Sequence, residues 1–406
     1  MSEIIDLLWT PKKGDWASYF GNDAILRGAL ESAVMLVTGY PGTPASNILD
    51  SAGLFYKSLP IELKNSFKAY IEVNEAIAMS AALGASQNGF RSLVAVKHVG
   101  FNVLSDVFST ACLLGPVAGI VVLNGGDPGA LSSQNEQDNR WDGMKFGAPV
   151  IEPSSPQELK DFVKYAFELS EHSDFPVIYN VTTRLCHSRA TIECDDISIP
   201  VKTFYTPFVK RPYKTISLAH YEKLHEKRKF VETQKEIDAL KKEINTLFGE
   251  DSLKYLPIGK IRLAKEFAGQ NGLNKITLDG KNFDFRTKTE KIGFITAGLS
   301  YTYLSEALRE IGVENKFPIL KLGVVYPIDD KIVLNFVKNL NLKKIIIVEE
   351  LTSFIETQVG NILYKNKIIR DIYGKGICSK NIFPSYGEFN PTILEEILGK
   401  NASIFG

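Results

Sequence analysis

The sequence predicts an α/β fold built on a doubly wound parallel sheet. Three observations carry that prediction. Short apolar runs without alternation, among them Val34–Thr38, Ser92–His98 and Ala118–Leu123, read as strands covered on both faces. Segments of helical period separate them, so strands and helices alternate along the chain. The loops of unusual composition, Gly39–Pro44, His98–Asn102 and Asp127–Arg140, all fall where those strands end, and open α/β sheets bind their ligands there.

In order, a helix is expected over Asp23–Ser32, with Ile25, Leu26 and Leu30 on one side, followed by the strand Val34–Thr38. Thr43-Pro44 reads as a hydroxyl cap with proline at the first position of a helix of about ten residues. Tyr70–Val73 is a strand that delivers the carboxylate of Glu75 to a helix of alanine, serine and glycine. Such a carboxylate, followed by a nearly smooth apolar helix, is expected where water is scarce and its proton affinity rises; equally, an acid in the first turn satisfies the helix dipole. Strand Ser92–His98, a helix over Asn102–Leu114, strand Ala118–Leu123, a short strand Pro149–Glu152, an amphipathic helix Ser155–Ser170 and strand Pro176–Val181 complete the unit.

Residues 200–285 change character. Tyr221–Phe248 is densely charged, with Ile237, Leu240, Ile244 and Leu247 at helical spacing, and the basic, aromatic run Lys210–Phe230 reads as part of a solvated helical arm rather than a nucleic-acid patch. A second α/β unit follows from Lys291: strand Ile292–Thr296, helix Tyr301–Ile311, strand Ile319–Leu322, helix Lys331–Leu340, strand Lys344–Val348 and helix Ser353–Tyr364. The domains are thus 1–195, a connecting segment 196–290 with a charged arm, and 291–406.

Composition excludes several function classes. Lys+Arg and Asp+Glu both number 47, which removes a global electrostatic case for nucleic acid or an anionic membrane. No run approaches the roughly 20 apolar residues of a membrane helix, and the amino terminus lacks the layout of a secretory signal, so the expectation is a cytoplasmic protein. The four cysteines form no C-x-x-C pair and the five histidines show no metal spacing, so zinc and iron–sulfur ligation are not expected on this chain. Phosphate-binding glycine motifs and the G-x-S-x-G elbow are absent. What remains is Thr43, Glu75, Lys97-His98, Asn102 and the polar run Ser132–Arg140. Nine polar residues between apolar strands read as a surface loop, yet at the strand ends Arg140 is placed to take a carboxylate in a bidentate way. His98 reads equally as a hydrogen-bonded structural residue.

Gly39-Tyr40-Pro41-Gly42-Thr43-Pro44, Lys97-His98-Val99-Gly100, Ser132–Arg140 (SSQNEQDNR), Thr182-Thr183-Arg184 and His187-Ser188-Arg189 together resemble the alpha subunit of the indolepyruvate:ferredoxin oxidoreductases, a family of thiamine-diphosphate-dependent 2-oxoacid:ferredoxin oxidoreductases. The resemblance covers nearly the whole chain. It implies a thiamine-diphosphate-binding, pyrimidine-type parallel sheet over 1–195 and a transketolase-C-terminal-like α/β domain over 291–406. It makes Glu75 the catalytic acid that bonds the pyrimidine ring of the cofactor, with Gly42, His98 and Asn102 at the cofactor and Thr43 and Arg140 on the substrate side. The implied activity is oxidative decarboxylation of indolepyruvate or arylpyruvates to acyl-coenzyme A, with ferredoxin as electron acceptor. The same chemistry on pyruvate, a branched-chain acid or 2-oxoglutarate stays open, as does a non-catalytic scaffold subunit. The sequence departs from the pattern at Asn47, where an acid is expected, and at Leu131, where a polar residue is expected. It also lacks the G-D-G…N diphosphate–magnesium motif and clustered cysteines. Magnesium and the iron–sulfur clusters are therefore expected on a partner subunit that completes the thiamine diphosphate site.

Overall fold

The computed structural model describes residues 2–199 and 257–404, apart from 286 and 288. In chain order the first unit runs α1 (Ser2–Trp9), β1 (Trp16–Phe20), α2 (Gly21–Glu31), β2 (Leu36–Gly39), α3 (Ser46–Ser58), β3 (Lys68–Ile71), α4 (Glu75–Gln87), β4 (Ser92–Lys97), α5 (His98–Leu114), β5 (Ile120–Gly126), α6 (Arg140–Phe146), β6 (Val150–Ile151), α7 (Pro156–Ser173), β7 (Val177–Thr182), α8 (Thr183–His187) and β8 (Arg189–Glu193). The second comprises α9 (Pro257–Gln270), β9 (Lys275–Leu278), β10 (Lys281–Asn282), β11 (Ile292–Ala297), α10 (Gly298–Glu310), β12 (Ile319–Leu322), β13 (Val324–Tyr326), α11 (Asp330–Asn339), β14 (Lys344–Val348), α12 (Phe354–Lys365), β15 (Asp371–Gly374), β16 (Lys380–Asn381) and α13 (Pro391–Lys400). The expected arm Tyr221–Phe248 lies outside the described residues.

Strands β6-β7-β5-β4-β2-β3 form a wholly parallel sheet in that order. The non-alternating runs account for it: every residue of β2 and β5 is buried, because helices cover both faces. The chain steps from β2 outward to β3, then returns past β2 to β4 and continues the other way. The carboxyl ends of β2 and β4 are therefore a topological switch point, where connections diverge and leave a crevice.

The second sheet, β10-β9-β12-β11-β14-β15-β16, is parallel at its centre and antiparallel at β9 and β10. It starts at Lys275, earlier than the expected boundary at 291. The signal was Asp279-Gly280, whose φ values of 47° and 72° make the two-residue turn joining β9 to β10. β13 leaves the second unit and pairs antiparallel with β6. The two units therefore share a sheet, and the ion pairs Lys321–Glu158 and Arg184–Glu388 tie them further.

The start of α3 differs from its expectation. Thr43-Pro44 is a cis peptide and the helix begins at Ser46, with Ala45 before it making no side-chain cap bond. Thr43 is exposed and is not a helix cap. Among the described residues no helix is long and apolar enough to cross a membrane.

Candidate functional site

Four segments meet at the switch point. Glu75 is the first residue of α4, placed there because Asn74 caps the helix: its side-chain oxygen accepts the Ile77 amide at 2.9 Å. The Glu75 carboxylate lies on the backbone of α5. A Cβ at Gly100 would stand 2.3 Å from Glu75 Oε1, so only glycine admits the acid at this spot. Neither carboxylate oxygen has a hydrogen-bond or ion-pair partner among the described residues. Glu75 is half-buried, less enclosed than the sequence suggested. β3 is an edge strand, and Tyr70, Ile71, Val73 and Ile77 around the acid are exposed, Val73 to 80%.

Gly42 packs just as closely on the next segment. A Cβ there would lie 2.8 Å from Lys97 Cβ, so the Gly39–Pro44 loop rests on the stem of Lys97 at the end of β4. Asn22 fixes the far side of that loop by donating to the Pro44 carbonyl at 2.8 Å. The polar run arrives from the β5 end. Asp127 pins its start: Oδ2 accepts the Ser132 amide at 2.8 Å and the Ser133 hydroxyl at 2.6 Å, and Oδ1 accepts the Thr183 hydroxyl at 2.9 Å. Burial opposes the charge of Asp127, but these donors prevail and hold its carboxyl below the usual range. The run then crosses α5. Lys97 Nζ donates to the Ser132 carbonyl at 3.0 Å, Asn102 Nδ2 donates to Gln137 Oε1 at 3.1 Å, and His98 Nε2 lies 3.2 Å from the Asn135 carbonyl. His98 is fully buried and its Nδ1 has no hydrogen-bond partner among the described residues. Gly42, Glu75, His98 and Asn102 thus lie together near the carboxyl ends of β2 and β4, with His98 buried and Thr43 exposed beside them. Lys97, Gly100 and Asp127 join them. Asp127 was legible as the polar member of Gly125-Gly126-Asp127-Pro128-Gly129.

Arg140 goes elsewhere, and this corrects the expectation of a guanidinium free for substrate. Nε and Nη2 each donate to Asp138 at 2.7 Å, Nη1 donates to Glu349 at 3.0 Å, and Nη2 also reaches the carbonyls of Glu350 and Thr352 at 2.8 and 3.2 Å. Both acids and the arginine are buried. Burial disfavours each charge; pairing prevails at Asp138, held below the usual carboxylate range, and at Arg140, held well above its ordinary value, whereas burial prevails at Glu349, pushed up to about 7 despite Arg140. The fork is spent on the contact between the two units. Glu349-Glu350, two acids directly after an apolar strand, were the sequence signal of that polar contact. A cavity beside it, lined by Arg140, Glu152, Asn180, Gly298, Ser300 and Glu349, measures about 40 Å³. That holds a few waters at most, so it is too small for a substrate.

Two family models match the chain. One, described as the thiamine-diphosphate-binding part of pyruvate flavodoxin/ferredoxin oxidoreductase, matches residues 27–242, more than half of the sequence; the other, the indolepyruvate oxidoreductase domain, matches 284–404. Indolepyruvate oxidoreductase subunit IorA of Thermococcus kodakarensis is 33% identical over 94% of this chain and 52% of its own length. The subunit of the same name from Methanothermobacter thermautotrophicus is 32% identical over 98% of this chain and 56% of its own length. The chain thus spans about half the length of the curated relatives it matches. A 2-oxoglutarate:ferredoxin oxidoreductase from Magnetococcus marinus superposes with a TM-score of 0.66 over 95% of this chain and 65% of its own, at 17% identity, which establishes a shared fold. With a thiamine-diphosphate-binding model matched across the whole switch-point crevice, the chain belongs to the pyruvate flavodoxin/ferredoxin oxidoreductase family.

Proposed function

We propose that this chain is the alpha-type subunit of a 2-oxoacid:ferredoxin oxidoreductase, acting on indolepyruvate or arylpyruvates and supplying the pyrimidine half of a thiamine diphosphate site. The observation that carries the proposal is the unpartnered carboxylate of Glu75, seated against Gly100 at the switch point. A carboxylate with no protein donor fits a cofactor whose ring nitrogen shares a proton with it, and Gly100 lets that carboxylate sit directly on α5. When bound, thiamine diphosphate supplies the electron sink for loss of carbon dioxide. Glu75 would hold the shared proton, and Gly42, His98 and Asn102 would shape the wall. Thr43 on the exposed rim would face the substrate. The aryl preference rests on the relatives' names.

The crevice is open, and its apolar rim of Tyr70, Ile71, Val73, Ile77 and Val103 is exposed. Apolar surface of this extent around a functional acid marks an interaction site. It supports completion by a partner subunit that carries the diphosphate, magnesium and iron–sulfur groups, with coenzyme A and ferredoxin as further participants.

Titration with thiamine diphosphate and magnesium tests the proposal, on the chain alone and on the complex purified through it. Weak or no binding to the chain and tight stoichiometric binding to the complex is expected. Glu75→Gln should then reduce 2-oxoacid-dependent ferredoxin reduction by about 10²- to 10⁴-fold, the range for a positioned proton-transfer group, while the subunits still co-elute. Absence of binding in the complex, or full turnover by the variant, would refute it.

A further inference from the structure

A 2-oxo acid is an anion, and its carboxylate needs a cation to fix which face of the carbonyl meets the cofactor. The crevice loops offer two candidates among the described residues, Lys97 and Arg140. Arg140 is spent on Asp138 and Glu349. Lys97 stands differently. Its stem is fixed beneath Gly42, and its ammonium has a single neutral partner, the Ser132 carbonyl at 3.0 Å. No carboxylate pairs with it among the described residues. An ammonium carries three donors, so two are left for a ligand. It also ends β4 directly before α5, whose first turn carries Gly100 and thereby Glu75.

We propose that Lys97 is the specificity-determining cation of this site: its ammonium takes the carboxylate of the 2-oxo acid and selects acids over neutral carbonyl compounds. This rests on the function proposed above and deepens it, because it names the group that recognises the substrate class. Ser132, the first residue of the polar run, holds the ammonium in place, and the run thereby acts on the substrate through Lys97.

The complex purified through this chain, loaded with thiamine diphosphate and magnesium, is titrated calorimetrically with four unreactive 2-hydroxy acids: lactate, 2-hydroxyisovalerate, 2-hydroxyglutarate and phenyllactate. The amide of the best binder serves as neutral control. Lys97→Gln keeps a donor for the Ser132 carbonyl but removes the charge. It should weaken the acid by about 10- to 100-fold, the range for hydrogen bonds to a charged group, and leave the amide unchanged. Lys97→Arg should bind the acid within a few-fold of wild type, and both variants should bind thiamine diphosphate normally. Unchanged acid affinity in Lys97→Gln, or no binding of any of the four acids by the loaded wild-type complex, overturns the assignment and leaves the function standing. Weakened thiamine diphosphate with unaltered acid affinity also overturns it, since Lys97 would then serve the cofactor. If the wild-type complex fails to take up thiamine diphosphate at all, the proposed function falls together with it.

Discussion

Replacing Arg140 by alanine probes the contact on which the two units depend. The guanidinium reaches five protein groups: Asp138, Glu349, the carbonyls of Glu350 and Thr352, and Glu152 at 4.0 Å. After its removal Asp138 keeps Thr352 as a donor, through the amide at 3.3 Å and the hydroxyl, and the backbone amide of residue 140 at 3.3 Å. Glu349 keeps the amides of Ile355 and Glu356 at 2.9 and 3.0 Å. Asp138 then loses its paired countercharge, a defect that costs about 3–5 kcal/mol. With a urea slope of about 4 kcal/mol per molar for a chain of this size, the midpoint should fall by about 1 M. The sign of the pH dependence follows from Asp138, whose folded carboxyl lies below its ordinary value. A depressed acid contributes stability above its unfolded value and loses it as pH falls through the folded one. The penalty of Arg140→Ala should therefore shrink as pH falls into and below the ordinary carboxylate range, where Asp138 takes up a proton. Arg140→Lys should recover only part of the loss, because one ammonium cannot fork to both acids. A loss under about 1 kcal/mol at neutral pH, or one unchanged on acidification, would refute the view that this arginine neutralises a buried cluster.

Two further perturbations separate the crevice from the contact between units. Gly100→Ala adds a methyl where Glu75 Oε1 now sits 2.3 Å from the Cβ position. The helix tolerates alanine and gains up to about 1 kcal/mol, so the melting temperature should hold or rise while the displaced acid lowers turnover by about 10²-fold; unimpaired turnover would show that the contact is incidental. Glu350 is pushed up to about 7 by burial, aided by Glu152 and Glu388 and opposed by the Phe389 amide. An acid raised on folding stabilises below its unfolded value and loses that contribution as pH rises through the folded one. Glu350→Gln, which keeps the acceptor for the Phe389 amide, should thus stabilise by about 2 kcal/mol near pH 8, allowing for partial solvent contact, and by little near pH 5. Equal effects at both pH values in urea unfolding would contradict that reading.

Most of the fold was legible because its strands are buried on both faces. Ile319–Leu322 and Lys344–Val348 match their expected spans residue for residue, and α4 starts at Glu75, where the acid was expected at the start of a helix. The misses have local causes. α5 starts at His98 and not at Asn102, because the strand ends at Lys97 and turns directly into the helix without a capping side chain. β9 and β10 escaped notice because the composition of the connecting segment outweighed a two-residue turn. At the switch point, the candidate residue types were visible in the sequence, but their allotment was not. Arg140 and Lys97 are both cations at strand ends. Only the fold reveals that Asp138 and Glu349 claim one of them.

That allotment follows from where the sheet is closed. β13 covers the β6 edge, so polar side chains near β6 and β7 are enclosed by the second unit and must be paired there, or each would carry the full cost of desolvation. Arg140, Asp138 and Glu349 meet that demand among themselves, and Asn180 meets it by donating to Glu152 at 2.6 Å. At the other edge β3 has no neighbour within the described chain, and nothing there compels Glu75 or Lys97 to find an acidic or basic partner. One edge consumes its charges to join two units and the other leaves them unspent. Among the described residues Glu75 and Lys97 lack charged partners beside an exposed apolar rim, and on the proposed function a ligand and a second surface would pair and cover them together.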